Sequence, residues 1–206
     1  MNAQSCLAEL RRIRDVVFAT VDADGKPRAR IIDIMLAEPS RLIFCTARGK
    51  RFYQELTARP EVAVTGMNDR WQSIRLTGRA ARLSEAEQRA WIDRIFEANP
   101  AMNDVYPGDA RYILEAFAID RGELEFFDLG RSPIVRESFA FGGCVSEIRG
   151  FKIVDGCIGC DTCAGLCPQQ AIDAGTPYAI RQANCLHCGL CFENCPVDAI
   201  IRREAV

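Results

Sequence analysis

Eight cysteines between residues 157 and 195 have the type and the spacing of iron–sulfur ligands. They form two runs of the pattern Cys-x2-Cys-x2-Cys-x3-Cys-Pro, which begin at Cys157 and Cys185, 28 residues apart. Three cysteines at this spacing let one tight loop place three thiolates on three corners of a cubane, and the remote fourth cysteine then ligates the other cluster. The sequence therefore predicts two [4Fe-4S] clusters. Cluster one would use Cys157, Cys160, Cys163 and Cys195, and cluster two would use Cys185, Cys188, Cys191 and Cys167.

The repeat continues past the ligands as Cys-Pro-x-x-Ala-Ile in both halves. Over about 50 residues the chain resembles the bacterial two-cluster ferredoxins, whose clusters move one electron at a time. The alternative is a pair of structural zinc sites, but zinc sites usually use separated Cys-x2-Cys pairs or add histidines. His187, the one histidine of the chain, lies between two ligands. We interpret it as a loop residue, because four thiolates already complete each cluster.

A second group of residues, in the first part of the chain, could hold a phosphate. Arg28 and Arg30 alternate onto one face of a predicted strand, Thr46 ends another strand, and Lys50 and Arg51 lie at the start of a predicted helix. Free backbone N–H groups and side-chain cations at a helix start can together bind a phosphate. The same residues could also form a solvated basic edge, and their pattern alone leaves both interpretations open.

The elements that must position these residues are mostly short strands. The sequence predicts strands over residues 16–22, 28–36, 42–46, 62–67 and 73–83, a closing pair over 112–119 and 123–127, and helices over 5–14, 52–58 and from a capping box at 84–87 to Asn99. Ser5 is the expected N-cap of the first helix. Because short turns join the strands and no Gly-rich dinucleotide fingerprint is present, we expect a mainly β fold with helices (α+β), a small barrel rather than a doubly wound sheet.

Residues 15–83 carry a second resemblance. The stretches ATVDADGKPRARIIDIML, RLIFCTARGKRFYQELTARPEVAVTGM and RLTGRAARL resemble the pyridoxamine 5′-phosphate oxidase-like FMN-binding split barrels. The segment ANPAMNDVYPGD is similar to small split barrels of anaerobic bacteria, some called nitroimidazole-resistance-like. The resemblance implies FMN at a homodimer interface. It assigns the lining of the cofactor to Arg30, Ile31 and Ile32, and the binding of its phosphate to Thr46, Lys50 and Arg51.

The chain also departs from that family's vitamin-oxidising members. Met35 stands where they have a lysine, and their Arg-x-His motif is absent from a chain whose one histidine is His187. We therefore do not expect oxidation of pyridoxamine phosphate. Related barrels bind deazaflavin F420 or haem. We rank both below FMN, since the phosphate-type residues match and no histidine is available as a haem ligand; the choice between FMN and F420 stays open.

Composition excludes several classes of partner. Lys and Arg number 26 against 28 Asp and Glu, a net charge of −2, so no basic excess is available for a nucleic acid. No apolar run approaches the roughly 20 residues of a membrane helix, and the first residues lack the apolar core of a signal peptide. We expect a cytoplasmic protein with a split barrel over residues 1–135, a linker over 136–150 and a ferredoxin-like domain over 151–206.

A one-electron relay joined to a flavin barrel predicts an oxidoreductase that passes electrons between FMN and two [4Fe-4S] clusters. Its partners would be a second copy of the chain, an external electron donor or acceptor, and a small-molecule substrate. The sequence identifies neither the substrate nor any catalytic residue. The alternative function is a non-enzymatic electron carrier or redox sensor, in which the barrel serves dimerisation.

Overall fold

The structure is a computed structural model that describes residues 1–203. Its contacts divide the chain into two compact units, each built from separate segments of sequence. The first unit contains residues 1–68, 73–125 and 139–145. The second contains residues 69–72 and 126–138 together with the chain from Ser146 onward. None of the helices within residues 1–203 has the length and apolarity needed to cross a membrane.

Strands predominate in the first unit and short helices with two-stranded sheets in the second. The helices are α1 (Ala3–Ile13), α2 (Arg51–Ala58), α3 (Gln88–Ala98), α4 (Met102–Val105), α5 (Thr162–Leu166) and α6 (Leu190–Glu193). The strands are β1 (Asp15–Val21), β2 (Pro27–Asp33), β3 (Leu36–Glu38), β4 (Arg41–Ala47), β5 (Glu61–Met67), β6 (Gln72–Arg82), β7 (Leu114–Asp128), β8 (Val135–Phe141), β9 (Phe151–Ile153), β10 (Ile172–Asp173), β11 (Ala179–Ile180) and β12 (Ile200–Arg202).

The main sheet has the order β2-β1-β5-β6-β7-β4-β3, and β8 also pairs with β7. This confirms the mainly β fold. In the β1–β2 hairpin Phe18 lies opposite Arg30 and Val17 opposite Ile31. The Asp22 carboxylate accepts hydrogen bonds from the backbone N–H groups of Asp24 and Lys26, and so closes the turn. The hairpin thereby fixes which β2 side chains face the inside of the sheet and which face outward.

Helix α1 begins earlier than the sequence predicts. The side chain of Asn2 accepts a hydrogen bond from Ser5 N at 2.7 Å, so Asn2 is the N-cap and Ser5 lies inside the helix. The prediction of Ser5 as N-cap was therefore wrong, because asparagine caps at least as well as serine and stands one turn earlier. The apolar face of α1 is buried as expected, with Cys6, Leu7 and Leu10 in the core.

The core of the first unit lies on both faces of β4 and β7. On one face four phenylalanine rings pack with centroids 4.8–5.9 Å apart; they are Phe18, Phe44, Phe52 and Phe117. On the other face α3 packs Ile92, Ile95 and Phe96 against the strands. Buried on both faces, β4 reads as a continuous apolar run rather than an alternating one.

One long strand, β7, replaces the two closing strands that the sequence predicts over residues 112–119 and 123–127. The polar Asp120–Glu123 stretch looks like a turn but continues the strand. Gly122 has φ of +158°, and a Cβ atom there would lie 2.4 Å from the Thr77 carbonyl oxygen. Glycine is thus needed for a close backbone approach, not for a turn.

The second unit has a small core formed by Phe151, Cys163, Ile172 and Ile200. Its strands pair as β9 with β12 and β10 with β11. The expected linker over residues 136–150 is only partly irregular, since β8 runs through its first six residues. Three consecutive polar residues, Arg136 to Ser138, interrupt the two-residue apolar period by which a strand is recognised.

Candidate functional sites

The eight repeated cysteines line two cavities in the second unit. One cavity is lined by Cys157, Cys160, Cys163 and Cys195. The other is lined by Cys167, Cys185, Cys188 and Cys191. We call them the cluster-one and cluster-two cavities. Each brings together the four thiols that the sequence groups, including the one from the other half of the repeat, and four thiols are the donor set that a [4Fe-4S] cluster requires.

The backbone repeats together with the sequence. Helices α5 and α6 begin 28 residues apart, each at the residue before the third cysteine of its run. Three pairs of residues at the same separation have positive φ, namely Gly159 with His187, Asp161 with Gly189, and Gln170 with Asp198. Such φ values cost a non-glycine residue free energy and occur where surrounding structure imposes them. The ligand loops therefore have one conformation, used twice.

Backbone N–H groups donate hydrogen bonds to ligand sulfurs at both sites. Such bonds stabilise the thiolate and tune the potential of a bound cluster. Two of them occupy equivalent positions in the repeat, and a third lies at the cluster-two cavity. They run from Ala171 to Cys167 Sγ at 3.3 Å, from Ala199 to Cys195 Sγ at 3.2 Å, and from His187 to Cys185 Sγ at 3.4 Å.

The thiols differ in their acidity. Burial raises the pKa of Cys163 and Cys185 and raises that of Cys191 to about 11. At Cys160 the hydroxyl of Thr162 lowers the pKa of the thiol by hydrogen bonding. Because iron binds the thiolate, occupation of these sites releases protons from the buried cysteines.

Residues 134–136, at the start of β8, contact the ligand loops of cluster two. Ile134 N donates to Gln169 Oε1 at 2.9 Å, and Asn184 Nδ2 donates to the Ile134 carbonyl oxygen at 2.9 Å. Arg136 Nη1 reaches the Leu186 carbonyl oxygen at 3.4 Å. Each residue contacted lies within two positions of a cluster-two ligand. We call residues 134–136 the clamp segment; sequence reasoning missed it, since nothing local marks it.

In the first unit, Arg30 packs against the first two turns of α2. Its guanidinium lies 4.7 Å from the centroid of the Phe52 ring and 2.5 Å from Glu55 Oε2, and it also donates to the Thr20 hydroxyl. Glu55 is buried and receives the Thr20 hydroxyl as a donor at 2.6 Å. Sequence reasoning missed Glu55, although its place on the Phe52 and Leu56 face of a short helix signals a buried carboxylate that needs a cation.

Lys50 and Arg51 stand together at the start of α2. Lys50 is the N-cap, with extended backbone at φ −84° and ψ 146° and no capping side-chain hydrogen bond. Both side chains belong to exposed residues. The first N–H groups of a helix without a side-chain cap are available to an anion, and two cations beside them suit a phosphate. The geometry of these two residues therefore fits the group that the resemblance assigns to them.

The other assigned residues lie on two faces of the sheet. Arg30 and Ile32 lie on the inner face of the β1–β2 hairpin with Phe18, whereas Ile31 is 60% exposed on the outer face beside Val17. Thr46 is buried inside β4, opposite Glu115 of β7, and lies on the same face of β4 as Phe44. The structure therefore groups Arg30 with the start of α2 and places Ile31 on the opposite face of the sheet.

A buried carboxylate links α2, β6 and β7. Glu115 accepts hydrogen bonds from the Tyr53 hydroxyl at 2.8 Å and from Arg82 Nε, and Arg48 lies 3.6 Å away. The bond from Arg82 lowers the pKa of Glu115, and the bond to Glu115 raises that of Tyr53. The sequence pattern gave no sign of this network, because Glu115 stands in the apolar run of β7.

Comparisons with known proteins match both parts of the chain. The pyridoxamine 5′-phosphate oxidase family matches residues 3–123, and the 4Fe-4S dicluster domain matches residues 156–199. Dihydrophenazinedicarboxylate synthase of Pseudomonas chlororaphis is 31% identical over 142 residues, which are 68% of this chain and 61% of that protein. Pyruvate synthase subunit PorD of Methanothermobacter marburgensis is 46% identical over 58 residues, 28% of this chain and 69% of that protein.

A solved structure supports the fold. The crystal structure of a NimC/NimA family protein from Clostridium acetobutylicum aligns with a TM-score of 0.55 and 23% identity, over 66% of this chain and 90% of that one. A barrel of the flavin-binding type followed by a two-cluster domain fits a role in electron transfer. The chain therefore belongs to the pyridoxamine 5′-phosphate oxidase family and carries a 4Fe-4S dicluster ferredoxin domain after the barrel.

Proposed function

We propose that this protein is a flavin and iron–sulfur oxidoreductase that passes electrons between FMN and two [4Fe-4S] clusters. The observation that carries the proposal is the grouping of eight cysteines around two cavities, four to each, in a chain whose other part is a flavin-type barrel. When bound, FMN exchanges electron pairs with a substrate and the clusters exchange single electrons with a carrier. We also propose a cytoplasmic location.

The residues of the barrel would hold the flavin by its phosphate. Lys50 and Arg51 supply two exposed cations, and the start of α2 supplies N–H donors. Arg30 would line the cofactor, with its guanidinium held in place by Glu55. Ile31 and Ile32 would line the ring system. The protein's own task is to fix the orientation of the cofactor and exclude water around it.

A second copy of the chain would complete the flavin site. The outer face of β1, β2 and β5 is small and apolar, with Val17 39% exposed, Ile31 60% exposed and Met67 53% exposed. An apolar sheet face of this kind is typical of a protein–protein interface. We propose a homodimer through this face, which would bury Ile31 beside the cofactor.

For the substrate we propose only a chemical class. The likeness to a dihydrophenazinedicarboxylate synthase makes dihydro-heteroaromatic acids the first compounds to test. Met35 is buried in the core beneath α3, so it cannot replace the lysine of the vitamin-oxidising enzymes. We propose that pyridoxamine phosphate is not oxidised.

The deciding experiment is cofactor content per chain after anaerobic purification. We expect about eight iron and eight sulfide, as two four-iron clusters require, with one FMN identified by mass. Lys50→Ala combined with Arg51→Ala should release the flavin and leave iron unchanged, whereas Cys160→Ala should lower iron and leave flavin unchanged. Lys26→Ala with Arg59→Ala removes two exposed cations elsewhere and is the matched control.

Full clusters without flavin, and no turnover of any acceptor, would favour the carrier or sensor over the enzyme. A colourless, zinc-containing preparation would overturn the iron–sulfur assignment. Loss of flavin in the Cys160→Ala variant would show that the two cofactor sites do not act separately.

A further inference from the structure

The internal repeat allows the two cluster sites to be compared position by position. Adding 28 to a residue number in the first half gives its equivalent in the second. The residues contacted by the clamp segment at cluster two are Gln169, Asn184 and Leu186. Their equivalents at cluster one are Val197, Gly156 and Ile158.

These equivalent positions differ in what covers them. At cluster two, Leu186 is half-buried and its carbonyl oxygen is held by Arg136, while Gln169 holds the backbone of Ile134. At cluster one, Ile158 is 65% exposed and Val197 is 40% exposed, and both line the cluster-one cavity. The chain thus covers one cluster with its own segment and leaves an apolar face over the other.

Charge distinguishes the two sites in the same way. Asp155, Asp161 and Asp198 are exposed residues close in sequence to Cys157, Cys160 and Val197. Their equivalents at cluster two are the uncharged residues Ala183, Gly189 and Gln170. An apolar centre with an acidic rim complements a partner that presents an apolar centre with a basic rim.

We propose that the face around Ile158 and Val197 is the docking surface at which a basic redox protein exchanges electrons with cluster one. The proposal rests on the proposed function, since it requires the clusters to transfer electrons. One electron moves in each encounter. When the partner is the oxidant, cluster one loses that electron and the partner's redox centre gains it, and no covalent bond forms or breaks.

The test measures oxidation of the full-length holoprotein by cytochrome c, a basic one-electron acceptor, in stopped flow after reduction with dithionite. Asp155→Asn combined with Asp198→Asn should slow the second-order reaction at low ionic strength by about five- to tenfold and flatten its dependence on salt. Asp104→Asn with Asp109→Asn removes the same charge from exposed residues of the first unit and should change the rate less than about twofold.

Equal slowing by the two double variants would overturn the proposal, because it would reflect net charge and not a docking face. Iron content and the reaction with hexacyanoferrate, a small anionic oxidant, verify that the clusters of each variant are intact. If hexacyanoferrate fails to reoxidise clusters of the unaltered protein, the proposed function itself fails. If hexacyanoferrate reoxidises the clusters, but the rate with cytochrome c is unchanged in the Asp155→Asn, Asp198→Asn variant, only the proposed docking surface is wrong.

Discussion

At the scale of single residues, the cysteines meet through the reach of their loops, whereas Arg30 meets partners from other elements. The cysteines could be grouped in advance because ligand spacing within a loop is a local property. The fourth cysteine of each run lies too far from the first three to bind the same cluster, and it is therefore assigned to the other one. Arg30 could be identified as a cation on a strand face, but its partners Thr20 and Glu55 come from β1 and α2. No local pattern predicts a pairing across three elements.

At the residue scale we predict that Gly150→Ala impairs cluster two. Gly150 has φ of +98°, and a Cβ atom there would lie 2.7 Å from His187 Nε2, beside Gln182. Because His187 lies between two cluster-two ligands, the displacement should disturb that site first. Iron per chain should fall toward about half, the content of one four-iron cluster, with the signal of cluster one retained in electron paramagnetic resonance.

Gly165→Ala is the matched control for this prediction. Gly165 lies between the predicted ligands Cys163 and Cys167, yet a Cβ atom at this position would have no neighbouring atom within 4 Å. The Gly165→Ala variant should therefore keep its full iron content. Equal loss in the two variants would mean that glycine itself, and not the contact with His187, is what the site requires.

Elements were predicted where periodicity is strong and missed where polar residues interrupt a strand. The β1–β2 hairpin, α2 and β5 follow their apolar periods and turn residues closely. By contrast β7 continues through Asp120–Glu123, because pairing along the sheet outweighs the local turn propensity of an Asp-Arg-Gly sequence. Helix α3 begins at Gln88 with Glu87 as its N-cap, because residues 84–87 form a turn and not the capping box that the sequence predicts.

The contact among α2, β6 and β7 predicts a pH-dependent stability. Hydrogen bonding from Arg82 lowers the folded-state pKa of Glu115 below its ordinary value of 4.5. A carboxylate with a lowered pKa stabilises the fold above its unfolded value, and that stability is lost as pH falls through the folded value. Glu115→Gln should therefore lower the free energy of unfolding at pH 7 by about 1–3 kcal/mol.

The difference between the variant and the unaltered protein should stay constant near pH 7 and narrow as the pH falls below 4.5, the range in which the Glu115 carboxylate becomes protonated first in the unfolded and then in the folded chain. Urea unfolding of the full chain, followed by the aromatic circular dichroism of the barrel, measures it. Glu61→Gln, a change of an exposed β5 residue, is the control and should leave the curve unchanged. A constant difference across this range would assign the effect to packing rather than to ionisation.

At the scale of the whole molecule, the order of barrel and ferredoxin domain could be predicted, but the borders of the compact units could not. Residues 126–138 and 69–72 belong to the second unit, although they lie far before its first cysteine ligand. A hydrophobic pattern predicts that a residue is buried, but it does not predict which of the two compact units the residue belongs to. The clamp segment was missed for that reason.

Removal of iron should destabilise the second unit and leave the first unit folded. The hydrophobic cluster beside the ligand loops consists of four buried side chains, one of which is the predicted ligand Cys163, so we expect the fold of this unit to depend on the metal. Chelation under oxidising conditions should abolish amide-exchange protection in β9 to β12 and preserve it in β4 and β7. Loss of protection throughout the chain would mean that the barrel, too, requires the clusters.

With the proposed crossed assignment of ligands, the clusters would act as cross-links. Each four-thiol site joins residues from both halves of the repeat, as Cys195 joins Cys157 and Cys167 joins Cys185. The exposed Ala174–Pro177 connection between the halves could therefore be cut by a protease without releasing either piece. In iron-loaded protein the two fragments would stay together in a gel-filtration column, much as a nicked disulfide protein does, and would separate only after the metal is removed.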